Sequence, residues 1–304
     1  MVESAYREPK PAPPPVTPDF SGTQGYRNAA PGGIEALYAA TIPGGTGTNV
    51  RIIDIEYSWN LAHENLAGAN QIANGTPTDP FSDTDHGTAV LGEIRGTDNS
   101  IGMTGLAPGA WLGVVNADDT GSLDVADAID IAAANLSAGD VILIEQQTAG
   151  ANGGCDSTSQ VGCVAVEWVQ AVYDAVAAAT ADGINVAEAA GNGSQDLDGT
   201  EYGGGSASSF PDGRADSGAI IVGAGAAPGC SSPARPAGFL VVRQPGESAG
   251  LGRARRDYRL RRPPGRVDGQ RRLHQYVWRH RVRVRSWPAP PPSCRAWHSS
   301  RASR

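Results

Sequence analysis

A three-layer α/β fold built around a mostly parallel sheet is predicted for this chain, and three observations support it. Short apolar runs at residues 50–55, 112–115, 141–144, 184–189 and 219–223 each have the length of a buried strand. Stretches with helical spacing of apolar residues fall between several of them, giving β-α-β units. The strands are apolar on both sides rather than alternating, which suits a parallel sheet covered on both faces, with its ligand site beyond the strands' carboxyl ends.

The elements follow in order. Residues 1–32 form a Pro-rich extended arm without a core, since Pro11 to Pro15 are interrupted only by Ala12. A domain is expected over 33–229. Its first strand follows the Gly-rich residues 43–47, and Arg51-Ile52-Ile53-Asp54 places an acid at the strand's carboxyl end. A helix is expected over 122–136, with Leu123, Ala126, Ile129 and Ala133 on one face, Ser122 as N-cap and Gly139 as stop. A second helix over 166–181 carries Val169, Val172 and Val176 on one face and ends at Gly183, just before the strand 184–189.

Composition sets the broad class. With 304 residues, 40% of them apolar, the chain can bury one large core or two modest ones. No apolar run of about 18 residues is present, so no membrane span is expected. The start, Met1 to Pro15, lacks the apolar h-region of a secretory signal and gives no export address. The net charge of −8 hides a split: residues 231–304 hold 18 of the 24 basic residues, all Arg, and three of the 32 acids, so that segment carries +15 and the preceding residues −23. Of four cysteines, Cys155 and Cys163 are close enough to clip a Gly/Ser-rich loop, with a pair of free thiols as the alternative. No paired C-x-x-C spacing marks a zinc site, and no metal ligand set is expected.

Three segments carry potential chemistry. A carboxylate such as Asp54 at the end of an apolar strand needs a compensating partner; taken alone, it fits an acid making a loop hydrogen bond. In Asp85-His86-Gly87-Thr88-Ala89-Val90-Leu91-Gly92, a histidine opens a helix and is followed by small residues that allow close backbone approach. Imidazole titrates near neutral pH and works as a general base once a carboxylate fixes its tautomer. Asn192, between Gly191 and Gly193 after a strand, fits either a simple turn or an amide donor to a developing oxyanion.

Together these segments resemble the subtilisin-like serine peptidases, in which Asp, His and Ser follow one another along the chain. An apolar strand ending in an acid is followed by His63-Glu64-Asn65-Leu66, similar to the family's His-Pro-Asp-Leu run. His86, Gly87, Thr88, Val90 and Gly92 match its His-Gly-Thr-x-Val-x-Gly motif, and Gly105-Leu106-Ala107-Pro108-Gly109-Ala110 its Gly-x-Ala-Pro-x-Ala segment. The resemblance implies a subtilisin-like fold, incomplete at its C-terminal end. It assigns Asp54 as the acid orienting the base, His86 as the base and Asn192 as the oxyanion donor. It further implies polypeptide substrates, a monomer, the possibility of structural calcium though no motif here supports it, and secretion in line with a Cys155–Cys163 bridge. Two departures stand out. Ile55-Glu56 follows Asp54 where Thr-Gly is usual, and Glu145-Gln146-Gln147 replaces the Ser-x-Gly substrate-binding stretch, so substrate preference does not transfer.

The nucleophile motif, Gly-Thr-Ser-x-Ala-x-Pro, is absent from the 304 residues. Composition changes near Cys230, and 230–304 form an Arg/Pro-rich tail expected to be disordered or a frameshifted reading of the family's C-terminal third. Shifting the codons of residues 243–252 by one base permits GSRVNLQGWG, and the same shift over 277–284 permits FGGTASAS, near the missing motif although Ser is not encodable after Gly-Thr. A chain without that serine is expected to be impaired as a peptidase. Two other functions compete: a non-catalytic binding protein on the same scaffold, and a nucleic-acid binder using the basic tail. The second is disfavoured because runs such as 279–285 show neither a helical pattern nor a recognised nucleic-acid motif.

Overall fold

The structure, a computed structural model, describes residues 16–223 apart from 31, 73–77, 120, 157, 198, 203–209 and 211–212. The tail 230–304, with Cys230 and Cys294, and residues 1–15 and 31 of the Pro-rich arm lie outside the described residues.

The strands are β1 (Arg51–Glu56), β2 (Asn70–Gln71), β3 (Trp111–Asn116), β4 (Asp118–Asp119), β5 (Ser122–Leu123), β6 (Val141–Ile144), β7 (Gln147–Ala149), β8 (Cys163–Ala165), β9 (Asn185–Ala189) and β10 (Ile220–Val222). Six form one sheet in the order β10-β9-β6-β1-β3-β2, and every pairing in it is parallel. The pairs β4–β5 and β7–β8 are antiparallel hairpins outside that sheet. The helices are α1 (Ala36–Ala39), α2 (Asp85–Arg95), α3 (Val125–Ala134) and α4 (Gln170–Ala181).

Alternation along the strands sorts the core into two layers. Ile53, Ile55, Ile142, Ile144 and Val186 face α3 and α4, which contribute Ile129 and Val176. Ile52, Leu112, Val114 and Val141 face the other way, against Leu91 of α2 and Leu66. The four isoleucines facing α3 and α4 are fully buried, each contributing roughly 2 kcal/mol by apolar transfer. Asp54 and Glu56 share the parity of Ile52, so both project on the α2 side.

Several expected boundaries move. The first strand runs two residues past Asp54 and ends at Glu56, because β1 stays paired with β3 as far as Asn116. α3 starts at Val125 with Asp124 as N-cap, its side chain accepting from Asp127 N–H at 3.0 Å, while Ser122 lies in β5. The helix expected from residue 166 begins as a 3₁₀ turn, Val166–Trp168, then breaks at the extended Val169 before α4 starts. Arg214 accounts for that break: its guanidinium donates to the carbonyls of Glu167 and Trp168, which a continuous helix would use. At the other end α4 closes as expected, with Gly183 at φ 83°. The end of the N-terminal arm is docked: Pro18 and Phe20 bond Gly102 through the backbone, and the Gln24 side chain exchanges two hydrogen bonds with Thr104.

Candidate active site

Parallel strands end on one edge, and the residues singled out from the sequence collect there. Glu56 is the last residue of β1, Glu145 to Gln147 leave the end of β6, and Asn192 follows the end of β9. Because β6 lies between β1 and β9, the segment leaving it sits between Glu56 and the Asn192 turn.

His86 stands at the second position of α2, and its motif neighbours explain how it is placed. A Cβ on Gly87 would lie 2.3 Å from Ser58 O and 2.8 Å from the Trp59 ring, so a glycine lets the helix start press onto the loop after β1. Thr88 pins the same loop, accepting from Asn60 N–H at 2.8 Å while donating to Thr84 O at 2.6 Å. Further along that loop Asn65, almost fully buried, bonds Ile101 O, and Leu66 enters the core.

The carboxylate that meets the imidazole is Glu56. His86 Nδ1 lies 2.5 Å from Glu56 Oε1, with Glu56 buried and the histidine side chain 67% exposed. The second oxygen, Oε2, accepts from Tyr57 N–H at 2.9 Å and from the Gln146 carboxamide at 3.4 Å. This contact lifts the His86 pKa from 6.5 to about 9, chiefly through the hydrogen bond to Glu56, with partial burial opposing and the charges of Glu56, Glu145 and Asp54 adding to the rise.

The position expected for Asp54 is thereby corrected. Asp54 lies inside β1, flanked by Val114 of β3 and Leu143 of β6, and is wholly buried. Its Oδ2 accepts from the Trp59 indole N–H at 2.8 Å, while Oδ1 is buried without a partner. Desolvation above all, then the charges of Glu56 and Glu145, push its pKa well above the usual carboxylate range, against the Trp59 bond and the His86 charge. Burial thus favours the protonated form of Asp54, whose carboxyl bonds Trp59 rather than His86. The signal for Glu56 was present in the sequence: an acid two residues beyond Asp54, on the same strand face and at the true strand end.

Glu145 is the third acid of the rim, its pKa raised first by desolvation and also by Glu56 and Glu93, with His86 opposing. Asn192 is half-buried in the turn after β9, and its backbone N–H donates to Gln147 Oε1 at 2.8 Å. Its flanking glycines serve close approach as well as turning: a Cβ on Gly193 would fall 2.0 Å from Cys163 O, and one on Gly191, at φ 90°, 2.8 Å from Val164 Cα. Cys163 is joined to Cys155 in a disulfide, so the bridged alternative holds and the clipped loop lies against this turn. Among the described residues, no serine hydroxyl is bonded to His86, no group of three or more His, Cys, Asp or Glu side chains is arranged to hold a metal, and no helix is long and apolar enough to cross a membrane.

Comparison with known proteins bears on the family and the fold. The chain is 36% identical over 104 residues to subtilisin E of Bacillus subtilis (strain 168), a match covering 32% of this chain and 27% of that protein. It is 37% identical over 115 residues to the Aeromonas extracellular serine protease of Aeromonas sobria, covering 34% of this chain and 18% of that one. The matched stretch thus spans about a quarter or less of either relative. Among solved structures, a protease from Pseudoalteromonas arctica PAMC 21717 superposes with a TM-score of 0.50 at 18% identity, covering 75% of this chain and 70% of that one, a likeness of fold. The family model described as the subtilase family, Peptidase_S8, matches residues 45–245, more than half of the chain and past the composition change near Cys230. A mostly parallel sheet, the histidine motif at its carboxyl edge and that match lead to one conclusion: the chain belongs to the subtilase family.

Proposed function

We propose that this chain carries the acid–base and oxyanion parts of a serine endopeptidase site, with His86 as general base, Glu56 as the carboxylate that orients it and Asn192 as the oxyanion donor. The observation that carries the reading is the 2.5 Å contact between His86 Nδ1 and Glu56 Oε1 at the edge where β1, β6 and β9 end. With Nδ1–H turned to Glu56, Nε2 is the nitrogen left to take a proton.

In the reaction, a serine oxygen attacks the scissile carbonyl carbon as its proton passes to His86 Nε2. The negative Glu56 side chain stabilises the imidazolium so formed, and the Asn192 carboxamide donates to the oxyanion. The imidazolium then protonates the leaving amine as the C–N bond breaks, and water releases the acyl group by the same steps. With a pKa of about 9, His86 is mostly protonated at neutral pH, so a base role calls for alkaline conditions. Asp54 bonds the Trp59 indole rather than the imidazole, so it acts as a support for the loop after β1.

No residue is assigned as nucleophile, since the Gly-Thr-Ser motif is absent from the sequence. A triad without its serine keeps only the modest acceleration supplied by binding and the oxyanion donor. That absence favours a second reading, a non-catalytic polypeptide-binding protein on the subtilase scaffold. The Cys155–Cys163 bridge suits an oxidising, extracellular compartment. Fluorophosphonate labelling of the full chain at pH 7 and pH 10 tests the proposal, with casein hydrolysis in parallel. Labelling of a serine that disappears in His86→Ala supports the peptidase reading; no labelling and no hydrolysis at either pH supports the binding protein. Sequencing the coding DNA across codons 225–304 decides whether 231–304 is a frameshifted stretch.

A further inference from the structure

The turn that presents Asn192 does not stand by itself. Its backbone N–H is held by the side chain of Gln147, first residue of β7, and the carbonyl of the next residue, Gly193, accepts from Gly162 N–H at 3.0 Å, just before β8. Both partners belong to the β7–β8 hairpin, in which Gln147 pairs with Ala165 and Ala149 with Cys163. The disulfide to Cys155 ties down the same strand, and the absence of a Cβ at Gly191 and Gly193 lets the turn lie directly on Cys163 and Val164. Gln195 Nε2 adds a bond to Gly193 O at 2.8 Å.

We propose that Gln147 is a positioning residue for the oxyanion donor: with the disulfide-tied hairpin it fixes the Asn192 backbone, and through it the direction of the Asn192 carboxamide. The inference rests on the peptidase reading for the role of Asn192, but the positioning itself is structural. Gln147 is suited to the task because its neighbour Gln146 donates to Glu56. Consecutive residues leaving β6 thus reach the carboxylate on one side and the oxyanion turn on the other, which keeps the spacing between the two halves of the site fixed. A preorganised donor needs such support, since one left to rotate loses most of its value at the transition state.

Hydrogen exchange at the Asn192 amide in the full chain provides the test, comparing Gln147→Leu, which removes the acceptor, with Gln147→Glu, which keeps one. In Gln147→Leu, exchange at Asn192 speeds up by about ten-fold, the loss expected for one hydrogen bond, while amides of β1 and β9 are unchanged. In Gln147→Glu, protection stays within about two-fold of wild type. Unchanged protection in Gln147→Leu overturns the proposal, as does equal loss in both variants. Should Gln147→Leu destabilise the whole domain, the Gln147→Glu arm still decides. Because the readout needs no turnover, a chain that shows this pattern yet neither labels nor hydrolyses refutes the peptidase reading alone.

Discussion

Removing the Cys155–Cys163 bridge tests how far the loop before β8 depends on covalent restraint. The two cysteines are eight residues apart, and closing a loop of that length removes conformational entropy from the unfolded chain worth about 2.5 kcal/mol at 25 °C. The native side changes less, because β8 keeps its pairing to β7 and Gly162 keeps its bond to Gly193. Cys163 is 1% exposed, so the double variant Cys155→Ala/Cys163→Ala avoids burying a hydroxyl. Urea unfolding of the oxidised wild type and the variant is the assay. The unfolding free energy should fall by about 2.5 kcal/mol, and the urea slope should rise slightly because an uncrosslinked chain expands more on unfolding. A loss below about 0.5 kcal/mol would refute the reasoning, since the loop would then be held equally well without the bridge.

Two further outcomes are expected elsewhere. Glu188 is fully buried in β9, and desolvation first, then Glu167, push its carboxyl well above the usual range, so the folded state keeps its proton where the unfolded chain releases it near the ordinary value of 4.5. Native stability therefore declines as pH rises above about 4.5, at most by roughly 1.4 kcal/mol per pH unit from this group. Glu188→Gln, which mimics the neutral acid, should gain on wild type as pH rises above about 4.5 in urea unfolding; a difference that does not vary with pH would contradict this. Gly193→Ala should cost about 3 kcal/mol or more, because its Cβ would overlap the Cys163 backbone at 2.0 Å, whereas Gly22→Ala, with open space around it, should stay within about 0.5 kcal/mol in the same assay.

Much of this molecule was legible from residue pattern alone. The apolar runs located the strands of the main sheet except the two-residue β2, residues 141–144 to the residue, and the glycine-flanked motifs marked the elements that meet at the sheet's edge. Which carboxylate contacts His86 turned on two residues of strand length. Asp54 and Glu56 lie on the same face, and only the pairing of β1 with Asn116 shows that the strand continues to Glu56. Likewise the break at Val169 depends on Arg214, more than forty residues away, occupying two carbonyls of the 3₁₀ turn. At α3, Asp124 outcompetes Ser122 as cap because residues 122–123 are engaged by β4. The glycines around Asn192 signal a turn in sequence, but their contact with Cys163 becomes visible only once the hairpin is in place.

The account stands on Glu56, rather than Asp54, being the carboxylate that faces the base. An NMR pH titration of the His86 ring in wild type, Glu56→Gln and Asp54→Asn measures this directly. Wild type should titrate near 9. Glu56→Gln should fall by more than about one unit towards 6.5, whereas Asp54→Asn, which removes only the smallest of the charges that raise this pKa, should fall by less than about half as much. A His86 pKa that survives Glu56→Gln but collapses in Asp54→Asn would contradict the account.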